Sequence, residues 1–287
     1  MNIGFIGLGN MGAPMARNLA AAGHAVTGFD PAGVTAEGVL AVASAREAAA
    51  GREAVVTMLP SGPILRAVYA EIVPAAAART VLVDCSTVDV DSARAVAAEA
   101  AAAGDRGVDG GEAGAAAGTL TFMAGGSADA FEAVRPLLDV MGSRAVHCGP
   151  SGAGQAAKIC NNMVLGISML GVCEAFALAR KLGLDPHALY DVVSTSSGSC
   201  WSVTSYCPVP GVGPSSPADN GYRPGFAAEL MLKDLRLAQE AAASADATTP
   251  LGAHAAALYE AFVAGEGRGR DFSAVLPWLA ARGHGEG

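Results

Sequence analysis

The feature that most constrains this chain lies at its amino terminus, where Gly7, Gly9 and Gly12 follow an apolar β-type run and open a stretch of helical character. Each glycine of such a GxGxxG turn has a separate task. Gly7 permits the tight turn, Gly9 lets the backbone come up to a pyrophosphate, and Gly12 lets the helix lie close on the strand. The unpaired N–H groups of the helix start, with the helix dipole behind them, then attract phosphate, and Leu8, Asn10 and Met11 belong to the same turn.

A glycine triplet alone is weak evidence, but here strand, glycines, helix, second strand and carboxylate follow in order over residues 3–30. The carboxylate is Asp30, at the end of the second strand, where it can accept hydrogen bonds from both hydroxyls of an adenosine ribose. It would repel a 2′-phosphate, and Pro31, Ala32 and Gly33 bring no Arg to neutralise one. The expected cofactor is NAD, not NADP.

Beyond the turn, β-branched runs at 2–7, 25–30, 54–59, 80–85, 120–124 and 145–148 alternate with helical segments at 11–22, 63–71, 89–103 and 128–141. That alternation predicts an α/β fold with a doubly wound Rossmann domain over residues 1–152. Past GPSGAG (149–154) no strand-like run recurs, and long helical patterns take over. Helices are expected from 155 to about 182, from Asp185-Pro186 onward, and over 226–243 and 249–264. The Pro- and Gly-rich stretch 207–225 should be irregular. Residues 153–287 therefore read as an all-helical domain for substrate binding and oligomerisation, and the Ala-rich runs as close-packed helices.

Composition narrows the function. With 18 Lys+Arg against 27 Asp+Glu, the net charge is −9, which argues against nucleic acid as a partner. The mean hydropathy is +0.36, so the apolar run 163–179 must be weighed as a membrane span. It carries Glu174 and follows Lys158, Asn161 and Asn162, so a helix buried between protein surfaces fits better. The amino terminus lacks the pattern of a secretory signal, and a cytoplasmic location is expected. The six cysteines are scattered without metal spacing; they read as small buried hydrophobes, and no metal site is expected.

The second chemical signal is GPSGAGQAAKICNN, 149–162. A helix starting near Ala153 puts Lys158 and Asn162 at i and i+4 on one face. A lysine held in a dry site can trade a proton with a hydroxyl, because desolvation brings an ammonium towards neutrality. The spacing equally allows an ordinary helix-start lysine facing solvent.

The stretches GFIGLGNMGAPMARNL (4–19), VTMLP (56–60), DCSTV (84–88), GTLTFMAGG (118–126), GPSGAGQAAKICNNM (149–163), EAFALARKLGLDP (174–186), SSGSCW (196–201) and LMLKDLRLA (230–238) resemble the beta-hydroxyacid dehydrogenase family across nearly the whole chain. Among its members, those that act on 3-hydroxyisobutyrate are the most similar. The resemblance implies NAD-dependent oxidation of a small hydroxy acid, 3-hydroxyisobutyrate to methylmalonate semialdehyde, a step of valine breakdown. By position it makes Lys158 the catalytic acid/base and Asn162 the residue that orients substrate. It places Leu59, Pro60 and Ile64 under the cofactor, Thr87 on the nicotinamide side, Lys233 and Phe226 on the cofactor from the helical domain, and Trp201 near the substrate pocket. Leu59 and Pro60 could equally end a strand, Trp201 could be a core aromatic, and Lys233 could pair at the surface with Asp234 or Glu229.

One departure stands out. Where the family has a serine-bearing loop for the substrate carboxylate, this chain reads GVDGGEAGAAAGTL (107–120), which aligns Asp109, Gly110 and Gly111 with the family's Asp and glycine pair and lacks four residues between them. Gly110 and Gly111 are the expected substrate contacts there. A real shortening would lose the serine and draw Asp109 towards an acid substrate, which like charge opposes. Two alternatives thus stand beside the main reading: a related activity on serine, tartronate semialdehyde or another small hydroxy acid, and a catalytically impaired NAD-binding protein. The first helix of the second domain is apolar on nearly every side, so a homo-oligomer, dimer or tetramer, is expected.

Overall fold

In the computed structural model, which describes residues 1–103, 106–111 and 120–282, strand β1 (Asn2–Ile6) sends Ile3 and Phe5 to one face of a sheet and Ile6 to the other. The same two-residue period recurs in β4 (Ala54–Thr57), where Val56 opposes Val55, and in β5 (Val81–Asp84), where Val83 opposes Leu82. Strands buried on both faces are the mark of a sheet covered by crossover helices. Burying one such Ile or Phe side chain contributes roughly 1.5–3 kcal/mol.

Helices α1 (Gly12–Ala21) and α5 (Ala128–Met141) cover the first face with Met15, Leu19, Phe131, Leu137 and Met141. Helices α2 (Ala45–Ala49), α3 (Gly62–Ile72) and α4 (Val90–Ala102) cover the second. In α4, Ala93 and Ala100 are fully buried, so the Ala-rich run is a close-packing surface.

With β2 (Ala25–Phe29), β3 (Val39–Ala41), β6 (Arg106–Gly111), β7 (Leu120–Gly126) and β8 (Gly142–Gly149), the sheet runs in the order β3-β2-β1-β4-β5-β6-β7-β8. β3 through β6 are mutually parallel, β6 and β7 pair antiparallel, and β7 and β8 parallel. From β1 the chain winds outward to β3 and then crosses back to β4 on the other side of β1. The carboxyl ends of β1 and β4 therefore flank the topological switch point, where doubly wound sheets bind ligands.

Within the sheet and the α-helices that cover it, three elements are absent from the sequence reading. β3 and α2 are short, and their turns carry no long apolar period. β6 reads RGVDGG, with Val108 its sole β-branched residue. Its strand state is imposed by backbone pairing with β5 on one side and β7 on the other, a tertiary effect that outweighs local preference. Gly110 and Gly111, expected in a loop, are instead strand residues opposite Ala124 and Met123. The expected four-residue shortening falls between Asp109 and Gly110, inside β6, and residues 112–119 lie outside the described residues.

The chain divides into two compact units, Met1–Lys158 and Ile159–Gly287. The division falls inside helix α6 (Ala153–Lys181), later than the expected boundary at 152/153, because the first turn of α6 is bonded to the sheet unit through Gln155. Among the described residues the second unit contains helices and no named strand. Its helices are the rest of α6, α7 (Pro186–Thr195), the single turn α8 (Trp201–Thr204), α9 (Ala228–Ser244), α10 (Pro250–Phe262) and α11 (Val275–Ala281). Asp185 caps α7 by accepting from the N–H groups of His187 and Ala188, with Pro186 in the first turn, as its sequence signature requires. Met169, Cys173, Met231, Leu235, Tyr259, Phe262 and Phe272 make the main core of this unit.

By length and composition α6 could cross a membrane, and 44% of its most apolar window is buried within the protein. The cysteines divide likewise: Cys85, Cys173 and Cys207 are buried, but Cys148 and Cys200 are half-buried and Cys160 is exposed. Cys160 falls on the outward side of α6, off the buried stripe that includes Lys158, Ile159 and Asn162, so the expectation of six buried thiols fails there.

Candidate active site

The glycine turn performs its three tasks in three different ways. Gly7 has φ +93, and a Cβ there would lie 2.2 Å from the carbonyl oxygen of Met58 at the end of β4. A Cβ on Gly12 would lie 1.9 Å from the oxygen of Gly7, so α1 can close onto the turn only without a side chain. Gly9 is exposed, and a Cβ there would meet nothing within 4 Å: that side of its backbone faces open space, as a surface for a pyrophosphate must. No side chain caps the start of α1 and no acidic residue lies in its first turn, which leaves that helix end favourable to an anion.

Asp30 is built into this turn. Its Oδ2 accepts the Leu8 N–H at 2.8 Å and its Oδ1 the Ala32 N–H at 2.8 Å. A carboxylate has about four lone-pair positions, so acceptor capacity remains for two ribose hydroxyls. Leu59 is buried just past the end of β4, whereas Pro60 and Ile64 are exposed, Ile64 on the outward side of α3 at 44%.

A polar chain runs along the carboxyl edge of the sheet. Asp84, at the end of β5, accepts from Thr57 Oγ1 at 2.8 Å and from Ser86 Oγ at 2.6 Å. Ser86 Oγ in turn accepts the Leu59 N–H at 2.8 Å. Gln155, fully buried in the first turn of α6, donates from Nε2 to the Ser86 carbonyl at 2.5 Å and accepts the Val88 N–H at 3.3 Å. The half-buried Thr87 lies between these anchors. The start of α6 is thereby fixed to the same sheet edge that carries the glycine turn.

Lys158 lies one turn beyond Gln155 and is 3% exposed, which removes the solvent-facing alternative. Gln155, Lys158, Ile159 and Asn162 form one buried stripe along α6. In the helical unit the Asn162 amide donates from Nδ2 to Oδ2 of the buried Asp234, and its Oδ1 accepts from Asn161 at 3.0 Å. A carboxylate can only accept, so Asp234 dictates which end of the amide faces it. Lys233, the preceding residue on α9, is half-buried.

Trp201 is 50% exposed, so it is no core aromatic; it stacks on Tyr206 with ring centroids 4.8 Å apart. Phe226 is half-buried and meets Phe272 edge to face at 5.6 Å. Asp234, Tyr206, Asp84 and Gln155 escaped the sequence reading as partners of site residues. Only Asp234 had a local cue, its place beside Lys233 in LKDL. Among the described residues no three His, Cys, Asp or Glu side chains gather as a metal site would require.

Comparison with known proteins follows the two-unit division. Residues 2–149 match the family described as the NAD binding domain of 6-phosphogluconate dehydrogenase. Residues 152–279 match that described as NAD-binding of NADP-dependent 3-hydroxyisobutyrate dehydrogenase. The chain is 50% identical to a probable 3-hydroxyisobutyrate dehydrogenase of Mycobacterium tuberculosis, with 98% of each chain covered. It is 45% identical to an NAD-dependent L-serine dehydrogenase of Pseudomonas aeruginosa, over 95% of this chain and 96% of that one. The solved structure of Mycobacterium tuberculosis 3-hydroxyisobutyrate dehydrogenase with L-serine superposes with a TM-score of 0.94 at 48% identity, covering 97% of this chain and 98% of that one.

Proposed function

The chain belongs to the family of 3-hydroxyisobutyrate dehydrogenases, NAD-dependent oxidoreductases of β-hydroxy acids, and from that premise we propose that it oxidises 3-hydroxyisobutyrate to methylmalonate semialdehyde. The observation that carries the mechanism is the burial of Lys158 one helical turn from Gln155, whose side chain is tied to the carboxyl edge of the sheet.

The residues of the first unit fit a dinucleotide: an open backbone at Gly9, an uncapped start of α1, and the Asp30 carboxylate at the end of β2. NAD, when bound, supplies the acceptor for the hydride that leaves the carbinol carbon. Lys158 takes the hydroxyl proton as the C=O bond forms, and positioned acid–base catalysis of this kind is worth about 10²–10⁴-fold. Asn162, its amide held by Asp234, orients the substrate, and Gly110 and Gly111 lie at its carboxylate. Trp201 bounds the substrate pocket, while Leu59, Pro60, Ile64, Thr87, Phe226 and Lys233 contact the cofactor. Asp30 selects NAD over NADP by charge, since a 2′-phosphate would meet a carboxylate.

L-serine is a second substrate in this reading. Two observations favour it: a serine dehydrogenase is among the close relatives, and a structure of a 48% identical relative was solved with L-serine. Serine carries the same hydroxymethyl group next to the carbon that bears the carboxylate, so Lys158 would perform the same proton transfer. Initial rates with 3-hydroxyisobutyrate, serine and short hydroxy acids, each with NAD and NADP, test both readings. NAD-linked turnover of 3-hydroxyisobutyrate is expected, and no turnover of any hydroxy acid would overturn the proposal.

The assembly is a homo-oligomer in the same reading. Val164 and Leu178, 63% and 60% exposed, fall with Gly171 and Ala175 on one outward stripe of α6, and Leu182, just past its end, is 75% exposed. Exposed aliphatic stripes of this kind are covered by a second copy in symmetric oligomers. Light scattering showing only a 28.4 kDa species would contradict it.

A further inference from the structure

Asp271 is fully buried and its two carboxylate oxygens have separate duties. Oδ1 serves its own turn, accepting from the Ser273 N–H at 3.0 Å and the Ser273 hydroxyl at 2.6 Å. Oδ2 faces a different set of partners: the Tyr206 hydroxyl at 2.9 Å, the Gly225 N–H at 2.9 Å and the Phe226 N–H at 3.0 Å. A turn that only needed capping would use the first set alone.

The second set leads to two residues of the proposed site. Tyr206 carries Trp201 stacked upon it, the rings tilted by 23°. It also leans on Phe272 at 5.4 Å, the residue whose N–H donates to the Phe226 carbonyl at 2.9 Å. Gly225 completes the fit, because a Cβ there would lie 2.6 Å from the Tyr206 hydroxyl. We propose that Asp271 is a positioning residue for substrate capture, holding the Tyr206 ring as the platform of the half-exposed Trp201 and fixing the backbone of Phe226. This rests on the role given above to Trp201.

An exposed indole is free to rotate unless something rigid lies beneath it. Stacking supplies the contact, and the Asp271 hydrogen bond fixes the plane of the ring that is stacked upon. Burial, and next the Asp271 carboxylate, hold the Tyr206 phenol far above its ordinary titration range, so it remains a donor to Oδ2. Asp271→Asn cannot serve both sets, since an amide offers one acceptor oxygen and its nitrogen only donates. Tyr206→Phe keeps the ring and removes only its tether.

The chain has two tryptophans, Trp201 and the buried Trp278, so a Trp278→Phe background isolates the Trp201 signal. In that background, with NAD at saturation, Tyr206→Phe and Asp271→Asn are expected to lower the fluorescence anisotropy of Trp201 and raise its quenching by iodide. In steady-state assays both should raise the KM for the hydroxy acid about tenfold while kcat changes less than about twofold. Tyr206→Phe leaves both Ser273 bonds in place and covers the case in which Asp271→Asn fails to fold. An unchanged KM together with an unchanged Trp201 anisotropy in Tyr206→Phe overturns the inference and leaves the dehydrogenase reading standing. A wild-type protein that oxidises no hydroxy acid overturns that reading instead, and the anisotropy then decides by itself whether Asp271 immobilises Trp201.

Discussion

Gln155 donates its side-chain amide to the carbonyl of Ser86, joining the first turn of α6 to the end of β5. Because Lys158 follows on the same buried stripe of α6, this bond sets where the lysine stands relative to the sheet edge. Gln155→Leu would strip both Ser86 O and Val88 N–H of that partner, at about 1–3 kcal/mol for each buried group left unsatisfied. The expected result is a lower midpoint in urea unfolding and a kcat reduced more than about tenfold. Unchanged kcat would show that the lysine is placed by other contacts.

Gly7 and Gly9 should respond differently to the same substitution. Gly7→Ala forces a side chain into a positive-φ position against the Met58 carbonyl, with about 1–3 kcal/mol of backbone strain before the clash is counted. It should unfold at lower temperature. Gly9→Ala meets open space and should keep the melting temperature of the wild type, yet weaken NAD binding by crowding the pyrophosphate. Calorimetric titration with NAD beside thermal melts checks both; equal behaviour of the two variants would refute the division of tasks.

Asp30→Ser removes a carboxylate that accepts the Leu8 N–H at 2.8 Å and, in the proposed reading, two ribose hydroxyls. Hydrogen bonds to a charged group contribute about 1.5–3 kcal/mol, so kcat/KM for NAD should fall roughly 10- to 100-fold. Activity with NADP should rise, because the repulsion of a 2′-phosphate is gone. A variant that keeps the wild-type ratio of the two cofactors would remove Asp30 from cofactor choice.

Asp234→Ala takes away the acceptor that fixes the Asn162 amide. The amide then keeps only its bond from Asn161, and kcat/KM for the hydroxy acid should drop about 10- to 100-fold. NAD affinity measured without substrate should stay near the wild-type value. A loss confined to NAD binding would assign Asp234 to the cofactor instead.

The elements legible in the sequence are those whose chemistry is local. The turn at Gly7, Gly9 and Gly12 is specified by glycines at fixed spacing, and the start of α7 by Asp185 and Pro186. The long helical periods fixed the class of the second unit. What stayed hidden depends on partners far along the chain. β6 is a strand because β5 and β7 hold its backbone from both sides, which no window around Gly110 and Gly111 can reveal. The bonds of Gln155 with Ser86, Asn162 with Asp234, and Tyr206 with Asp271 span 69, 72 and 65 residues. Spacing alone leaves Lys158 balanced between solvent and interior, and its 3% exposure decides for the interior.

In the proposed mechanism Lys158 carries the proton in oxidation of a β-hydroxy acid. Its most direct test is the single-turnover rate of Lys158→Met at saturating NAD and 3-hydroxyisobutyrate, with NAD affinity measured on the same preparation. The expected rate is lower by about 10²–10⁴-fold, with NAD affinity within twofold of wild type. A rate near that of the wild type would contradict it.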